Sequence, residues 1–454
     1  MNESIQLDKY QQRAIMEDGN VLLIAGAGAG KTHTITKKIE YLITNKICNE
    51  NEILVISFTN KSVEDLERKI IYNCDIFTFH KLAIQILKDY NIKYTLITND
   101  YLELIINEFF HSLENKYKIE IIKYYHIYNY DDFLKSYEYK ELIKLITTII
   151  KIYKTNNCKK DNFKNLFKKE SFLSKYAYII KNIYDYELLS TNSYDFDDLI
   201  IKATNILNKY YKYKFIIIDE FQDTSIIRFN LINKLRVLNK ATLFCVGDDY
   251  QSIYHFSGSD INILLDFTKL IPNAKVLKLK YTYRNSQELI DIASSFIMKN
   301  KKQIKKDLIS NKHIDKPIEI VYYLNPYKAF NKLYNRLIKD NNDILVLGRN
   351  NFDIKKFTEK KVPFMSIHAS KGLEAENVII INLTDGLYGF PNKIKNNKLI
   401  EELNPSDKSY LFAEERRLFY VALTRSKNKV YLLVPLFKKS IFIKEIRKII
   451  KNIY

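Results

Sequence analysis

Residues 25–32, AGAGAGKT, set Gly26, Gly28 and Gly30 ahead of a lysine and a hydroxyl, Lys31 and Thr32. The chain has ten glycines, so their concentration here is itself a signal. Glycine lets the backbone curl until the N–H groups of Ala27, Gly28, Ala29 and Gly30 face an anion, ahead of His33. A lysine there reaches β- and γ-phosphates and a threonine ligates Mg²⁺, so these residues could hold ATP. Such a loop usually begins with glycine where this chain has Ala25, and a ligand-free glycine-rich turn is the competing reading. A second cluster, Asp219-Glu220, supplies what the loop lacks. Asp219 would hold Mg²⁺ mostly through water, and Glu220 would polarise the attacking water. Gln251 could sense the γ-phosphate. Arginine is scarce, eleven residues, yet Arg284, Arg349, Arg416, Arg417 and Arg425 fall within the downstream motif stretches. A planar, permanently charged fork is what a transferring phosphoryl group requires.

The elements that must position these groups follow from the apolar pattern. Val21 to Ile24 reads as a buried parallel strand and Ile35 to Leu42 as the helix after the loop. ILVIS (53–57), FIII (215–218) and TLFCV (242–246) read as further buried strands, and IFTFH (76–80) as a short strand ending at His80. In parallel α/β sheets the carboxyl ends of strands face the ligand crevice, so Phe58, Asn60 and His80 fall where a substrate would lie. Upstream, Leu7 to Ile15 reads as a short amphipathic helix carrying Gln11, whose amide can pair with N6 and N7 of adenine. Pro272 marks a boundary. Strands at 276–280, 318–323, 343–348, 365–368, 377–382 and 429–434 then predict a second α/β domain without a phosphate loop.

Residues 91–190 contain neither glycine nor proline and carry Lys, Tyr, Ile and Leu at helical spacing, which predicts an inserted helical subdomain. Its tyrosines and lysines could stack on and neutralise nucleic acid, or be core tyrosines and solvated lysines. Asp195-Phe196-Asp197-Asp198 opens a helix, where aspartate is favourable without any catalytic role. The formal charge of +19 favours a polyanionic partner, although the abundance of Lys, Ile, Asn and Tyr and the absence of Trp also fit an AT-rich genome. Cys48, Cys74, Cys158 and Cys245 are scattered without metal-ligand spacing, so reduced thiols are expected. The polar N-terminus does not read as a signal peptide, and no apolar run reaches membrane-spanning length. A cytoplasmic location without membrane contact is expected, and the last residues, Ser440 onward, read as ending the motor without an interaction tail.

Taken together, the motifs resemble the superfamily 1 DNA helicases of the bacterial UvrD/Rep/PcrA type. They are LDKYQQRAI (7–15), AGAGAGKT, SFTNKS (57–62), TFHKLA (78–83), DFDDL (195–199), DEFQDT (219–224), VGDDYQSIYHFSGS (246–259), YTYRN (281–285), IHASKGLEAENV (367–378) and AEERRLFYVALTRSK (413–427). The resemblance covers most of the chain outside 91–190. It implies two RecA-like motor domains, parallel sheets flanked by helices, with ATP between them. Residues 1–90 plus 191–271 would form the first, 91–190 its helical insertion and 272–454 the second. It implies that Gln11 reads adenine, Tyr283 stacks on it and Glu374 lies by the ribose. Gln251, Arg284 and Arg425 would contact the γ-phosphate, and Ala25 is ordinary for the family. Phe58, Asn60, His80, Tyr254, Phe256, Arg349 and His368 would line a single-stranded DNA track, with 3′-tailed duplex as substrate and 3′ to 5′ as the direction.

Four departures stand out. His33 replaces an arginine that packs on adenine, Phe256 replaces a tryptophan, and Ser257 replaces an arginine. Only residues 351–366 separate LVLGRN from Ile367-His368, where the family usually carries a second accessory subdomain. So short a stretch cannot form a domain, and that subdomain is expected to be missing. Strand translocation is therefore the firmer expectation and processive unwinding the less firm. Protein displacement with little unwinding, and nucleotide-gated DNA binding without turnover, are the alternatives.

Overall fold

The structure is a computed structural model that describes residues 6–158, 171–339, 343–394, 397–405 and 410–454. Residues 159–170 of the expected helical insertion lie outside the described residues.

The first lobe is built on a six-stranded sheet. Its strands are β1 (Val21–Ala25), β2 (Ile53–Ser57), β3 (Asp75–Thr78), β6 (Phe215–Ile218), β7 (Thr242–Gly247) and β8 (Lys275–Leu279), in the order β3-β2-β6-β7-β1-β8. Every pairing is parallel. Alternation along β1 explains its unbroken apolar run. Leu22 and Ile24 pack in one core with Phe79 and Leu199, while Val21 and Leu23 pack in the other with Ile35 and Ile39. A strand covered on both faces has no polar side to show.

The second lobe carries β9 (Ile318–Tyr323), β10 (Ile344–Gly348), β11 (Phe364–Ser366), β12 (Ala375–Ile380) and β13 (Ser426–Pro435) in the order β11-β10-β12-β13-β9, again parallel throughout. Leu345 and Leu347 face one core, Ile344 and Val346 the other. Residues 351–366 form a short 3₁₀ turn, Asp353–Lys356, and the edge strand β11.

Three expectations need correcting. The strand after Pro272 does not open the second lobe: β8 pairs with β1 and closes the first sheet. It is an edge strand, half-exposed along most of its length. An alternating edge strand carries no local mark of which sheet it joins. The strand before His80 stops at Thr78, whose hydroxyl accepts from Lys81 N at 3.2 Å and starts the helix Phe79–Asp89, so His80 sits in a first helical turn. His368 likewise lies in a 3₁₀ turn, His368–Ser370, beyond β11.

The insertion is helical as expected, with helices such as Asn99–His111, Tyr137–Thr155 and Ser171–Ser190. A two-stranded parallel pair, β4 (Thr95–Leu96) and β5 (Ser193–Tyr194), ties its ends together. Tyr139, Tyr153, Tyr176 and Tyr184 are buried in its core, so these tyrosines pack rather than present rings to a ligand. A helix from the second lobe, Lys398–Leu403, drives Leu399 and Leu403 into that same core. Burial on this scale contributes about 1.5–3 kcal/mol per leucine. The second lobe is thereby fastened to the insertion of the first.

Among the described residues, no helix is long and apolar enough to cross a membrane, and the four cysteines are free thiols.

Candidate active site between the lobes and the adjoining track

Three neighbouring strands of the first sheet, β6, β7 and β1, end on the same cleft. The loop after β1 carries Lys31, the turn after β6 carries Asp219 and Glu220, and the turn after β7 carries Asp248 to Gln251. The second lobe meets this edge with the opposite ends of its strands: Gly372 and Glu374 precede β12, and Arg425 precedes β13. The result is a cleft of about 420 Å³ lined from both sides. Its walls include Ala27 to His33, Glu220, Gln251, Tyr283, Arg284, Glu374 and Arg425, all expected from sequence, together with Lys312 and Lys427, which were not.

The loop is held against the crossover between the lobes. Tyr283 N donates to Gly28 O at 2.9 Å, and the Thr282 hydroxyl donates to Ala27 O at 2.8 Å. Gly28 is left-handed, with φ +69°, and a Cβ there would meet Arg284 Cβ at 2.5 Å. Gly30, φ +78°, starts the helix Lys31–Thr44, and a Cβ on it would meet the Gln11 amide nitrogen at 2.7 Å. Gly28 therefore excludes a side chain by conformation and by space, and Gly30 by conformation, a Cβ there also displacing the Gln11 amide.

Glu220 itself is left-handed, φ +50°, at the sharp turn after β6. A non-glycine residue held there costs about 1–2 kcal/mol and needs outside support. The support is ionic. Lys31 Nζ lies 3.4 Å from Glu220 Oε2, Lys371 Nζ lies 3.5 Å from the same oxygen, and the Gln222 amide donates to it as well. Burial alone would raise the Glu220 pKa, but the two lysines outweigh it and hold the carboxyl well below the usual range. On Asp219 the balance falls the other way: burial and the Glu220 charge push it up to about 6 against the pull of Lys31 and Lys371. Its Oδ1 accepts from Glu220 N, at 2.9 Å. A buried carboxylate with no direct ion pair among the described residues, and a threonine hydroxyl in the loop, are hard oxygen ligands of the kind that suits Mg²⁺, which is commonly held by one or two such groups plus phosphate oxygens. Thr32 and Asp219 fit that ion.

Lys371 was not among the expected site residues, although it stands inside IHASKGLE. It reaches across from the second lobe to pair with Asp223, and its Nζ donates to Gln251 O at 3.1 Å. Burial would lower its pKa, but Asp223 and Glu220 more than restore it, so it stays charged.

Arg284 and Arg425, the arginines expected at the phosphate, both line the cleft, though they are held differently. Arg425 is 1% exposed; its Nη2 donates to Gln251 Oε1 at 3.0 Å and its Nη1 to Leu373 O at 3.2 Å. Arg284 Nε donates to Glu374 Oε2 at 2.6 Å, while Lys427 Nζ holds the other oxygen at 3.1 Å. Arg416 and Arg417 are structural: the first forks onto Glu445 at 2.7 and 2.9 Å, the second donates to Ser252 O. At the other end of the cleft, Gln11 is buried and its Oε1 accepts from Asp8 N at 3.2 Å, which leaves its amide nitrogen toward Gly30. The Tyr283 hydroxyl donates to Asp8 Oδ2 at 2.8 Å. His33 has its pKa lowered by burial and by Lys37, so at neutral pH it offers a ring rather than a cation.

A second hollow, about 720 Å³, opens on another face. Phe256, Arg349 and His368 line it, with Ile152 of the insertion and Ile400 and Asn404 of the docked second-lobe helix. Phe256 is 58% exposed and meets His368 edge-to-face, centroids 5.4 Å apart. The Tyr254 hydroxyl donates to His368 O at 3.1 Å. Burial, then Arg349, pushes His368 down to about 4, so it is a neutral ring at pH 7. Arg349 does not stand free: it forks onto Glu415 at 2.8 and 2.9 Å. Phe58, Asn60 and His80 form a separate group on the first lobe. Phe58 packs on Phe79 with Arg228 over its face, and His80 packs on Phe196. None of these three lines the hollow.

Comparison with known proteins agrees with this layout. The UvrD/REP helicase N-terminal domain family matches residues 7–272, and the UvrD-like helicase C-terminal domain family matches residues 350–435. DNA helicase IV of Escherichia coli K12 is 30% identical, over 99% of this chain and 71% of its own length. A probable DNA helicase II homologue of Mycoplasma capricolum is 31% identical, over 80% of this chain and 52% of its own. ATP-dependent DNA helicase PcrA of Bacillus subtilis is 30% identical, over 70% and 42%. The chain thus spans most of the first relative and about half of the others.

Proposed function

The chain belongs to the UvrD/Rep helicase family, and from that premise we propose that it is an ATP-dependent DNA helicase motor that moves 3′ to 5′ on single-stranded DNA. The observation that carries the proposal is the cleft whose phosphate loop and carboxylates come from one lobe and whose arginines, Arg284 and Arg425, reach it from the crossover and the other lobe. Lys31 and the loop amides bind the triphosphate, Glu220 accepts a proton from the attacking water, and Gln251, Arg284 and Arg425 gather on the γ-phosphate. Mg²⁺, held by Thr32 and Asp219, supplies neutralising charge to the phosphates when bound. Lys371 pairs with the first-lobe carboxylates Asp223 and Glu220, and Arg425 donates to Gln251, so contacts at the nucleotide cleft tie the second lobe to the first. Hydrolysis therefore breaks contacts that hold the lobes together, and the DNA-facing rings on each lobe shift relative to one another.

The short connection at 351–366 favours a second reading, a translocase that strips proteins from single strands with little unwinding, on the expectation that the second accessory subdomain is missing. ATP hydrolysis titrated with single-stranded DNA, duplex DNA and RNA tests the motor reading. The expected result is strong stimulation by single-stranded DNA, and absence of stimulation sinks it. Strand separation on a 3′-tailed duplex, with none on a blunt or 5′-tailed one, supports the helicase; stimulated hydrolysis with no separation on any substrate supports the translocase.

Phe256→Ala tests the track. Losing one stacking platform removes about 1–3 kcal/mol of contact with a base. Translocation rate is expected to fall about tenfold, while hydrolysis at saturating single-stranded DNA stays within about threefold, because the ring lies outside the nucleotide cleft. Stopped-flow fluorescence on end-labelled oligonucleotides reads the first quantity. An unchanged rate removes Phe256 from the track.

A further inference from the structure

The segment 299–310 leaves the second lobe and runs back along the first. Lys299 pairs with Glu445 of the last helix at 2.6 Å, the carboxylate that also clamps Arg416. Gln303 Nε2 and Ile304 N then both donate to Asp249 Oδ2, at 2.6 and 2.8 Å. Lys306 follows, its side chain 1% exposed, with Nζ 2.7 Å from Asp248 Oδ1, paired to Asp249 as well, and 3.1 Å from the centre of the Tyr250 ring. Leu308 packs on the phosphate loop so closely that a Cβ on Gly26 would meet it at 2.9 Å. One segment thus touches the last helix of the second lobe, the turn after β7 and the phosphate loop.

The turn after β7 matters because of what Asp248 holds. Its Oδ2 accepts from Gln251 Nε2 at 2.6 Å, and Gln251 Oε1 in turn accepts from Arg425 Nη2 at 3.0 Å. A glutamine amide can turn over and present nitrogen or oxygen to either side. An ionised carboxylate accepts only, so it fixes the nitrogen toward itself and the oxygen toward the arginine. Burial favours the protonated form of Asp248, and the lysine beside it opposes burial, so losing that lysine favours protonation. A protonated Asp248 could donate, and the amide orientation would no longer be set. Lys306 is the buried cation between Asp248 and Asp249.

We propose that Lys306 is a positioning residue: by keeping Asp248 an acceptor it fixes the side chain of Gln251, and through it Arg425, as the γ-phosphate sensor. The proposal deepens the reading given above and rests on it. Lys306 touches no nucleotide-lining group and acts through Asp248. Its loss removes discrimination between a triphosphate and a diphosphate, not nucleotide binding as such.

The test is a double-mutant cycle on the full chain with Lys306→Met, Gln251→Ala and both together. Two quantities are read: kcat with saturating ATP and single-stranded DNA, and the ratio of affinities for a non-hydrolysable ATP analogue and ADP. Lys306→Met is expected to lower kcat about tenfold or more and to abolish most of the preference for the analogue, with ADP affinity within about twofold. On the Gln251→Ala background it is expected to cost less than about twofold further, since both act through one contact chain. Full kcat and intact preference in Lys306→Met, or penalties that multiply in the double variant, overturn the proposal. Should Lys306→Met lose ADP binding, Lys306→Met/Asp249→Asn, which removes the lysine with one of its two carboxylates, is read instead. Loss of ADP binding there too makes Lys306 a folding residue and ends the proposal. A wild type without DNA-stimulated turnover defeats the motor reading instead, and the affinity ratio still judges Lys306.

Discussion

Lys31→Ala is expected to lower ATP turnover by about a thousandfold or more, because it removes the cation that the terminal phosphates require. The structure adds a second reason. Lys31 also lies against Glu220, and together with Lys371 it keeps that carboxyl ionised and in its left-handed turn. With Lys31 gone, Lys371, at 3.5 Å, and the Gln222 amide are left to oppose the burial that raises the Glu220 pKa, and Lys371 is shared with Asp223. The turn that presents the base would lose one of its two supporting cations along with the phosphate contact. Alanine is the best helix former at the first position of Lys31–Thr44, so the melting temperature is expected to move by only a few degrees at most. Phosphate release with saturating ATP, Mg²⁺ and oligo(dT) measures the effect, and turnover above about a tenth of wild type contradicts it.

Arg425→Ala is expected to cost as much in turnover, about a thousandfold, but to leave ADP binding within about threefold. The two variants separate because their residues do. Lys31 stands in the phosphate loop, proposed to meet any nucleotide, whereas Arg425 comes from the second lobe and rests on Gln251, the proposed γ-phosphate contact. Arg425→Lys is not expected to rescue, because an ammonium cannot donate to Gln251 Oε1 and Leu373 O from one planar group. Fluorescent ADP titration beside single-turnover hydrolysis makes the comparison. A variant that keeps more than about a tenth of wild-type turnover removes Arg425 from the reaction.

Much of this could be read from the chain alone, because it is written in short stretches. The phosphate loop is one run of residues whose glycines, lysine and threonine have their roles by spacing, and β1 before it is apolar because both its faces are covered. The carboxylate pair after β6 and the glutamine after β7 follow from the same rule that strand ends in a parallel sheet face the ligand. Arg284 and Arg425 stood out because guanidinium groups are rare in this chain and fall within the motifs. Harder to read were groups whose significance lies in a partner. Lys371 is one lysine of many until it is found against Asp223 and Glu220. Arg349 sits in its expected hollow, but only the fold shows that Glu415 holds it.

The sequence by itself determined which lobe supplies the phosphate loop, where the helical insertion lies and which side chains are the candidates for a γ-phosphate, since each depends on residues adjacent in the chain. The tertiary structure alone decided that β8 closes the first sheet, that Leu399 and Leu403 anchor the second lobe in the insertion, and that Lys306 is buried between Asp248 and Asp249. The physical reason is common to all three. An edge strand, an amphipathic turn of helix and a lysine are locally satisfied in many places, and only contacts between segments far apart in the chain select one.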